Sequence, residues 1–351
     1  MNELYIGSRG KLPLAATNLY KHFSRKYYPD NVDLESSRIA NEVLDKGYCV
    51  IENFLNNDEI QGVKEELCDF EYYDSMLSQE NIFNLQQLRE TEVRSDSSIS
   101  SMHYSNLTGS AIKTESQIGR IFIKPFMADI ASHYFKSQSY LTGAVSFHTT
   151  EKDPKLFTNE DIHGLAQNWH FDYPNLRFLK FFIYLTDVEI ENGPHSFISK
   201  THEENFVYPN SMDDLHSSGL TKYENGLFSG LIKDQWVNRN FDSDQVNEFC
   251  YPKGTLLVVN TSGLHKGGYC YSGRREVLSL IYSISNGGAF LPTNKPSLNF
   301  SPETHSSKHL GPVLAKFFQE QQDMVDNFSR KVSFKTRVKN KIHRMTTRES
   351  I

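Results

Sequence analysis

The sequence predicts a mainly β fold, a barrel or sandwich of jelly-roll type with helices flanking it. Two observations carry that reading. From about residue 139 the chain becomes a series of short β-branched or aromatic runs separated by turn chemistry. Helical patterning is confined to the chain before Phe135 and to a stretch near the carboxyl terminus. Many short strands with few helices between them pack as sandwiches or barrels.

The elements follow in chain order. Residues 1–36 are polar and aromatic without a clear period and are expected to form an irregular lead-in. An amphipathic helix is expected over 36–46, then an apolar run, Tyr48-Cys49-Val50-Ile51. Asn56 or Asn57 can cap a second helix carrying Ile60, Val63 and Leu67 on one side. Residues 94–110, rich in Ser, Asp and Asn, read as a loop. A helical pattern covers 115–135, and Pro125 should kink or split it. Strands are expected at 140–149, 168–173, 178–188, 196–199, 255–260 and 276–285. Residues 203–248 are polar and irregular, the character of a lid or binding loop. A helix over 312–328 leads into a basic tail, and no internal repeat is present. The simplest organisation is one domain over 37–329, with its β core at about 139–290 and the tail at 330–351.

Composition narrows the class of function. The chain has 351 residues, 38% hydrophobic and 23% charged, which excludes wholesale disorder. No uncharged apolar run approaches the roughly 20 residues of a membrane helix, so no transmembrane segment is expected. Residues 1–11 lack a signal-peptide stretch, and 348–351 match no recognised address. The four cysteines (Cys49, Cys68, Cys250, Cys270) form no C-x-x-C pair. A disulfide scaffold or thiolate zinc site is not expected, and a cytoplasmic location fits best. The net charge of −6 divides unevenly, with a tail from Arg330 near +7 and a remainder near −13. A body that acidic argues against a nucleic-acid partner. In the tail, Phe334, Val338, Ile342 and Met345 recur at helical spacing among basic residues. That stripe either packs on the domain or touches an anionic membrane or a partner.

The chemistry begins at Asn168-Trp169-His170-Phe171-Asp172-Tyr173. In a strand, His170 and Asp172 point to the same face, as two ligands of one metal must. The pair alone is a weak signal. Its weight comes from Gly263-Leu264-His265-Lys266-Gly267-Gly268 about 95 residues later, and from Arg275 ten beyond His265, opening the apolar strand Val277-Leu278-Ser279-Leu280-Ile281-Tyr282. Two imidazoles and one carboxylate occupy one face of an octahedral iron and leave three positions open. A keto acid and O2 can fill those, and an arginine can fork onto the keto acid's distal carboxylate.

The ordered set resembles the phytanoyl-CoA dioxygenase family of Fe(II)/2-oxoglutarate-dependent oxygenases. It comprises the W-H-x-D motif, Asp187-Val188, Glu191-Asn192-Gly193-Pro194-His195, His202, the distal histidine and the arginine. The segment Lys46-Gly47-Tyr48-Cys49-Val50-Ile51-Glu52-Asn53-Phe54-Leu55 is similar to that family's first strand, and the likeness spans roughly 40–290. It implies a double-stranded β-helix (cupin-like) core, with Fe(II) held by His170, Asp172 and His265 and 2-oxoglutarate held by Arg275. Arg274 competes for that last role; Arg275 is preferred because the family places its arginine about seven positions before an aromatic, here Tyr282. The reaction implied is hydroxylation of an unidentified small-molecule, lipid or glycan-type substrate by O2, with succinate and CO2 as coproducts. Retention of Asp172 points away from halogenation, for which relatives have a small residue there. Two departures stand out: 198–202 reads Ile-Ser-Lys-Thr-His where the family often has Pro-Gly-Ser-His, and Gly267 replaces a frequent serine.

Other residues admit more than one role. Lys180, inside an apolar strand, meets a cofactor or substrate carboxylate or else snorkels from the strand edge. His148 and Ser146 either line the pocket or belong to the core, and His163, His195 and His202 read as structural or loop residues. Cys250 and Cys270 read as inert thiols. His202–Glu204 is a rival metal pair without a distal partner. Aromatics at Tyr72, Tyr73, Phe206, Tyr208, Tyr223, Phe228 and Trp236 are candidates for packing on a substrate. The alternatives to an oxygenase are a zinc hydrolase using the same His/Asp/His set and a non-catalytic ligand-binding β-sandwich.

Overall fold

The computed structural model describes residues 33–74, 82–90, 102–107, 112, 115–136, 139–151, 165–172, 178–203, 206, 221–222, 228–229 and 231–283. The lead-in before 33, the helix expected at 312–328 and the basic tail lie outside them, as do most of 203–230, His163, Tyr208 and Tyr223.

Helix α1, Leu34–Lys46, starts where the Asp33 side chain accepts from the Ser36 amide and stops at Gly47, which is left-handed at φ 92°. Strand β1, Tyr48–Ile51, follows. Asn56 then caps α2, Asn57–Glu66, in a capping box with Glu59. The chain continues through β2 (Glu71–Asp74), β3 (Ile82–Asn84), α3 (Leu85–Glu90) and β4 (Met102–Asn106). As expected, Pro125 splits the next helical stretch, here into α4, Gln117–Phe122, and α5, Pro125–Phe135. Proline cannot continue α4 but suits the first turn of α5, where its missing N–H is no loss. The Glu66 carboxylate, at the end of α2, accepts from the amides of Gln117 and Ile118 at 2.6 and 2.9 Å and so holds the start of α4.

The remaining strands are β5 (Tyr140–Thr150), β6 (Phe178–Tyr184), β7 (His195–Ile198), β8 (Thr221–Lys222), β9 (Phe228–Ser229), β10 (Val246–Glu248), β11 (Leu256–Val259), β12 (His265–Gly267) and β13 (Arg274–Ser283); α6, Asp234–Asn240, precedes β10. Among the described residues they form an eight-stranded sheet in the order β1-β11-β6-β13-β5-β4-β2-β3, a three-stranded sheet β10-β7-β12 and a β8-β9 ribbon. All described pairings are antiparallel.

Side chains alternate across the large sheet. On one face Phe182, Tyr184, Leu257, Val259 and Val277 meet Phe197 of the small sheet and Phe249, all buried. Two antiparallel sheets thus enclose one apolar core, the double-stranded β-helix implied by the family resemblance. Helix α5 packs on the large sheet through β13 and is itself covered by α1.

Three local expectations are corrected, one of them being the irregular segment at 203–248, whose second half carries α6 and β10. Residues 168–172 form no named strand; they are an extended segment joined to its neighbours by isolated bridges at Trp169 and His170. The 94–110 loop contains β4, which pairs with β2 and β5. A Ser- and Asn-rich stretch can be a strand when partner strands supply the ladder, because β-propensity is set largely by neighbours.

Candidate metal centre

His170 and His265 are brought face to face by a backbone bridge. Each amide donates to the other's carbonyl, at 3.0 Å from His170 and 2.9 Å from His265. In such a hydrogen-bonded antiparallel pair both side chains leave on the same side, and the imidazole centroids lie 4.2 Å apart. Asp172 follows two residues after His170, its amide donating to the Thr261 carbonyl at 2.9 Å. The period-two argument from sequence therefore holds although the segment is bridged rather than fully paired. Ligand atoms of His170, Asp172 and His265 lie within 4.8 Å of one another, the one such cluster of three among the described residues.

The rings are set for ligation. His170 Nδ1 lies 2.7 Å from the Asn168 carbonyl oxygen and His265 Nδ1 2.9 Å from that of Gly263. A carbonyl only accepts, so each Nδ1 carries the proton and each Nε2 keeps its lone pair. His265 Nε2 stands 3.6 Å from Asp172 Oδ2. This is the tautomer and orientation that metal-binding imidazoles require. Burial, with His170 beside it, lowers the His265 pKa to about 3, and burial lowers that of His170. Both are neutral at neutral pH. Burial pushes the Asp172 carboxyl up, but the Lys180 ammonium and the two imidazoles outweigh it and hold the group well below the usual carboxylate range.

Lys180 lies on the inner face of β6, in step with Phe182 and Tyr184, and its Nζ is 2.6 Å from Asp172 Oδ2. It belongs to the site and does not snorkel. Arg275, the second residue of β13, lies opposite Thr149 and is 6% exposed. Its Nη1 is buried without a hydrogen-bond partner, a cost that a bound carboxylate would remove. Arg274, by contrast, is exposed and donates to the Arg89 carbonyl at 3.1 Å. Gly267 gives the guanidinium its room: a Cβ there would stand 2.9 Å from Arg275 Nη2.

The backing of the site is apolar. Trp169, Ile198, Ile232, Trp236, Val237 and Leu264 form a buried cluster behind the ligand segment, and the Ile232 amide donates to the Trp169 carbonyl at 2.7 Å. Lys266 lies 4.7 Å from the centroid of the Trp169 ring and pairs with Asp234 of α6 at 3.2 Å. Trp236 is therefore part of the scaffold, not a surface for substrate. Tyr72 is likewise fully buried, its hydroxyl donating to Ser146 at 2.7 Å. His148 faces Glu276, 3.4 Å away, on the opposite side of the sheet from Arg275, so Ser146 and His148 are core residues. His202 Nε2 meets the Leu44 carbonyl at 3.2 Å, away from the cluster. Glu204 lies outside the described residues. Burial raises the thiols of Cys250 and Cys270, the latter to about 11, as inert cysteines require.

One site histidine was not identified as such from sequence. His195 is buried on β7, its ring centroid 5.5 Å from that of His265 and 4.8 Å from that of Phe182, with Nε2 unpartnered. Burial above all, with the Arg275 charge nearby, holds its pKa well below the usual histidine range.

The donor set of two neutral imidazoles and a carboxylate, with a buried arginine beside it, suits ferrous iron and a dicarboxylic keto acid. A family model for phytanoyl-CoA dioxygenase (PhyH) matches residues 44–275, a span that contains all four residues. The chain belongs to that family: it is an oxygenase-type enzyme whose cofactors are Fe(II) and 2-oxoglutarate. Solved structures similar to it include the α-ketoglutarate-dependent epimerase SnoN from nogalamycin biosynthesis, in a complex with Fe3+, α-ketoglutarate and nogalamycin RO (15% identity, 78% of this chain and 92% of that one, TM-score 0.44). HygX from Streptomyces hygroscopicus with nickel and 2-oxoglutarate (14%, 70% and 86%, TM-score 0.43) and EctD from S. alaskensis with 2-oxoglutarate and 5-hydroxyectoine (14%, 73% and 78%, TM-score 0.45) are also similar. A comparison with curated proteins gave no match. Among the described residues no helix is long and apolar enough to cross a membrane.

Proposed function

We propose that the protein is an Fe(II)/2-oxoglutarate-dependent hydroxylase acting on a small-molecule, lipid or glycan-type substrate in the cytoplasm. His170, Asp172 and His265 hold the iron, and Arg275 holds the distal carboxylate of 2-oxoglutarate. The observation that carries the reading is the set of three ligand atoms within 4.8 Å, two of them imidazole Nε2 atoms left with free lone pairs because backbone carbonyls hold the proton on Nδ1. When bound, iron and 2-oxoglutarate together activate O2, yielding succinate, CO2 and an oxidant for the substrate C–H bond.

The protein's own contribution is geometry and electrostatics. The His170–His265 bridge sets two imidazoles side by side, so that an iron held there with Asp172 would keep positions free for keto acid and O2. Arg275, buried with its Nη1 unpartnered, orients the keto acid through its far end. The apolar cluster behind Trp169 keeps water from the back of the ligand segment. A zinc hydrolase would leave Arg275 without a task. The test is succinate formation by the Fe(II)-reconstituted protein from 2-oxoglutarate under air, with and without candidate substrates. Succinate above background that disappears in His170→Ala supports the reading. Its absence in folded, iron-loaded protein across the substrate panel contradicts it. An +16 mass product fixes hydroxylation against epimerisation or desaturation.

A further inference from the structure

His195 stands directly opposite Gly267 in the β7–β12 pairing. Residues opposite one another in an antiparallel pair send their side chains to the same face. On that face the glycine leaves a gap, and the Arg275 guanidinium fills its edge, with Nη2 2.9 Å from where a Cβ would be. The His195 ring and the Arg275 head therefore border one space above Gly267. Each brings to it a buried nitrogen without a hydrogen-bond partner, Nε2 of His195 and Nη1 of Arg275. Two orphaned buried polar groups in one place are costly in the absence of a ligand, since each gives up its water for nothing. The ring is packed at a tilt of 34° on Phe182, 4.8 Å away, and stacked with Phe249 at 12° and 5.9 Å. Its backbone is fixed at both ends, the amide donating to the Tyr184 hydroxyl at 3.2 Å and the carbonyl accepting from Phe249 at 2.9 Å. It is a rigid group aimed inward, not a loop histidine.

We propose that His195 is a second positioning residue for the cosubstrate, donating from Nε2 to the distal carboxylate that Arg275 holds. One carboxylate oxygen takes the Arg275 Nη1 donor, the other takes His195, and the missing side chain at Gly267 makes space for both. The site then selects a keto acid carrying a second carboxylate. This rests on the oxygenase reading above, and the experiment separates the two.

The test is anaerobic calorimetric titration of the Mn(II)-loaded protein with 2-oxoglutarate and, separately, with oxalate, which chelates the metal but carries no distal carboxylate. Wild type, His195→Leu and His195→Gln are compared, with Mn(II) affinity measured for each. His195→Leu should weaken 2-oxoglutarate binding roughly tenfold, the size of one lost hydrogen bond to a charged group. Oxalate and Mn(II) affinities should stay at wild-type values, and His195→Gln, which keeps a donor, should recover part of the loss. Unchanged 2-oxoglutarate affinity in His195→Leu overturns the proposal. So does an equal loss for oxalate or Mn(II), which would make His195 a support for the metal ligands. Wild type that binds Mn(II) but not 2-oxoglutarate would bring down the oxygenase reading itself, whatever the variants do.

Discussion

The Lys180 ammonium lies 2.6 Å from Asp172 Oδ2, the carboxylate oxygen that also faces His265 Nε2 at 3.6 Å. In this structure a cation of the chain itself neutralises the one carboxylate of the candidate metal centre. A divalent ion entering the site must share that oxygen with Lys180 or displace it.

Removing the ammonium should therefore help the metal and harm the metal-free protein. Lys180→Met is expected to bind Mn(II) about tenfold more tightly, a modest share of the repulsion between a divalent ion and an ammonium at such range. The metal-free variant should melt lower, because Asp172 loses its partner. Equilibrium dialysis and melting with and without Mn(II) check both. Weaker metal binding in the variant would mean that Lys180 instead orients Asp172 for ligation.

Arg275 and Glu276 are neighbours in β13 that serve opposite faces. Glu276 is 2% exposed and receives both arms of Arg89, at 2.8 and 2.9 Å, with Lys64 at 3.5 Å. Glu276→Gln leaves the half-buried Arg89 guanidinium without its counter-ion and should cost about 2–3 kcal/mol at neutral pH. Burial raises the Glu276 carboxyl, but its bonds with His148 and Arg89 prevail and hold it well below the usual range. The unfolded chain thus takes up the proton first as pH falls. The contribution is complete above the ordinary glutamate range and is lost as pH drops toward the lower folded value. Chemical denaturation should show a constant gap between wild type and variant from pH 7 to about 5 that narrows below it. A gap that widens in acid would contradict this.

Gly193 ends the turn before β7 at φ 71°, and a Cβ there would lie 2.3 Å from the Gly268 carbonyl oxygen. Both the left-handed backbone and the backbone clash penalise a side chain. Gly193→Ala should lose about 2 kcal/mol or more of stability and loosen the approach of β7 to the segment after β12. An unfolding midpoint equal to wild type would show that the turn can relax.

His202 offers a control. Its imidazole meets a backbone carbonyl at 3.2 Å, remote from the three-ligand cluster. His202→Ala should leave Mn(II) affinity unchanged and cost about 1 kcal/mol or less. Loss of metal binding would revive the His202–Glu204 pair as the site.

Much of this was legible in the sequence because local rules decide it. Asn56 is one of two capping candidates in the sequence, and the structure uses it; Pro125 cannot sit inside a helix, so it splits the 115–135 pattern and starts the second half. His170 and Asp172 share a face by period two alone. What stayed hidden depends on strand pairing. Nothing in the sequence places Gly267 across from His195, and only that register brings a turn-adjacent histidine onto the same face as His265. Tyr72 and Trp236 were candidate substrate contacts because they sit in polar stretches; the sheet and the apolar cluster bury them instead. Strand β4 was missed for the same reason, its ladder being supplied by β2 and β5.

The central claim is that one site binds iron through His170, Asp172 and His265 and a keto acid through Arg275. It is tested most directly by adding Fe(II) and 2-oxoglutarate without oxygen and recording the weak visible charge-transfer band of a keto acid chelated to ferrous iron. The account predicts a band in wild type that vanishes in His170→Ala and weakens in Arg275→Ala. A folded wild-type protein that takes up no iron and shows no band would contradict it.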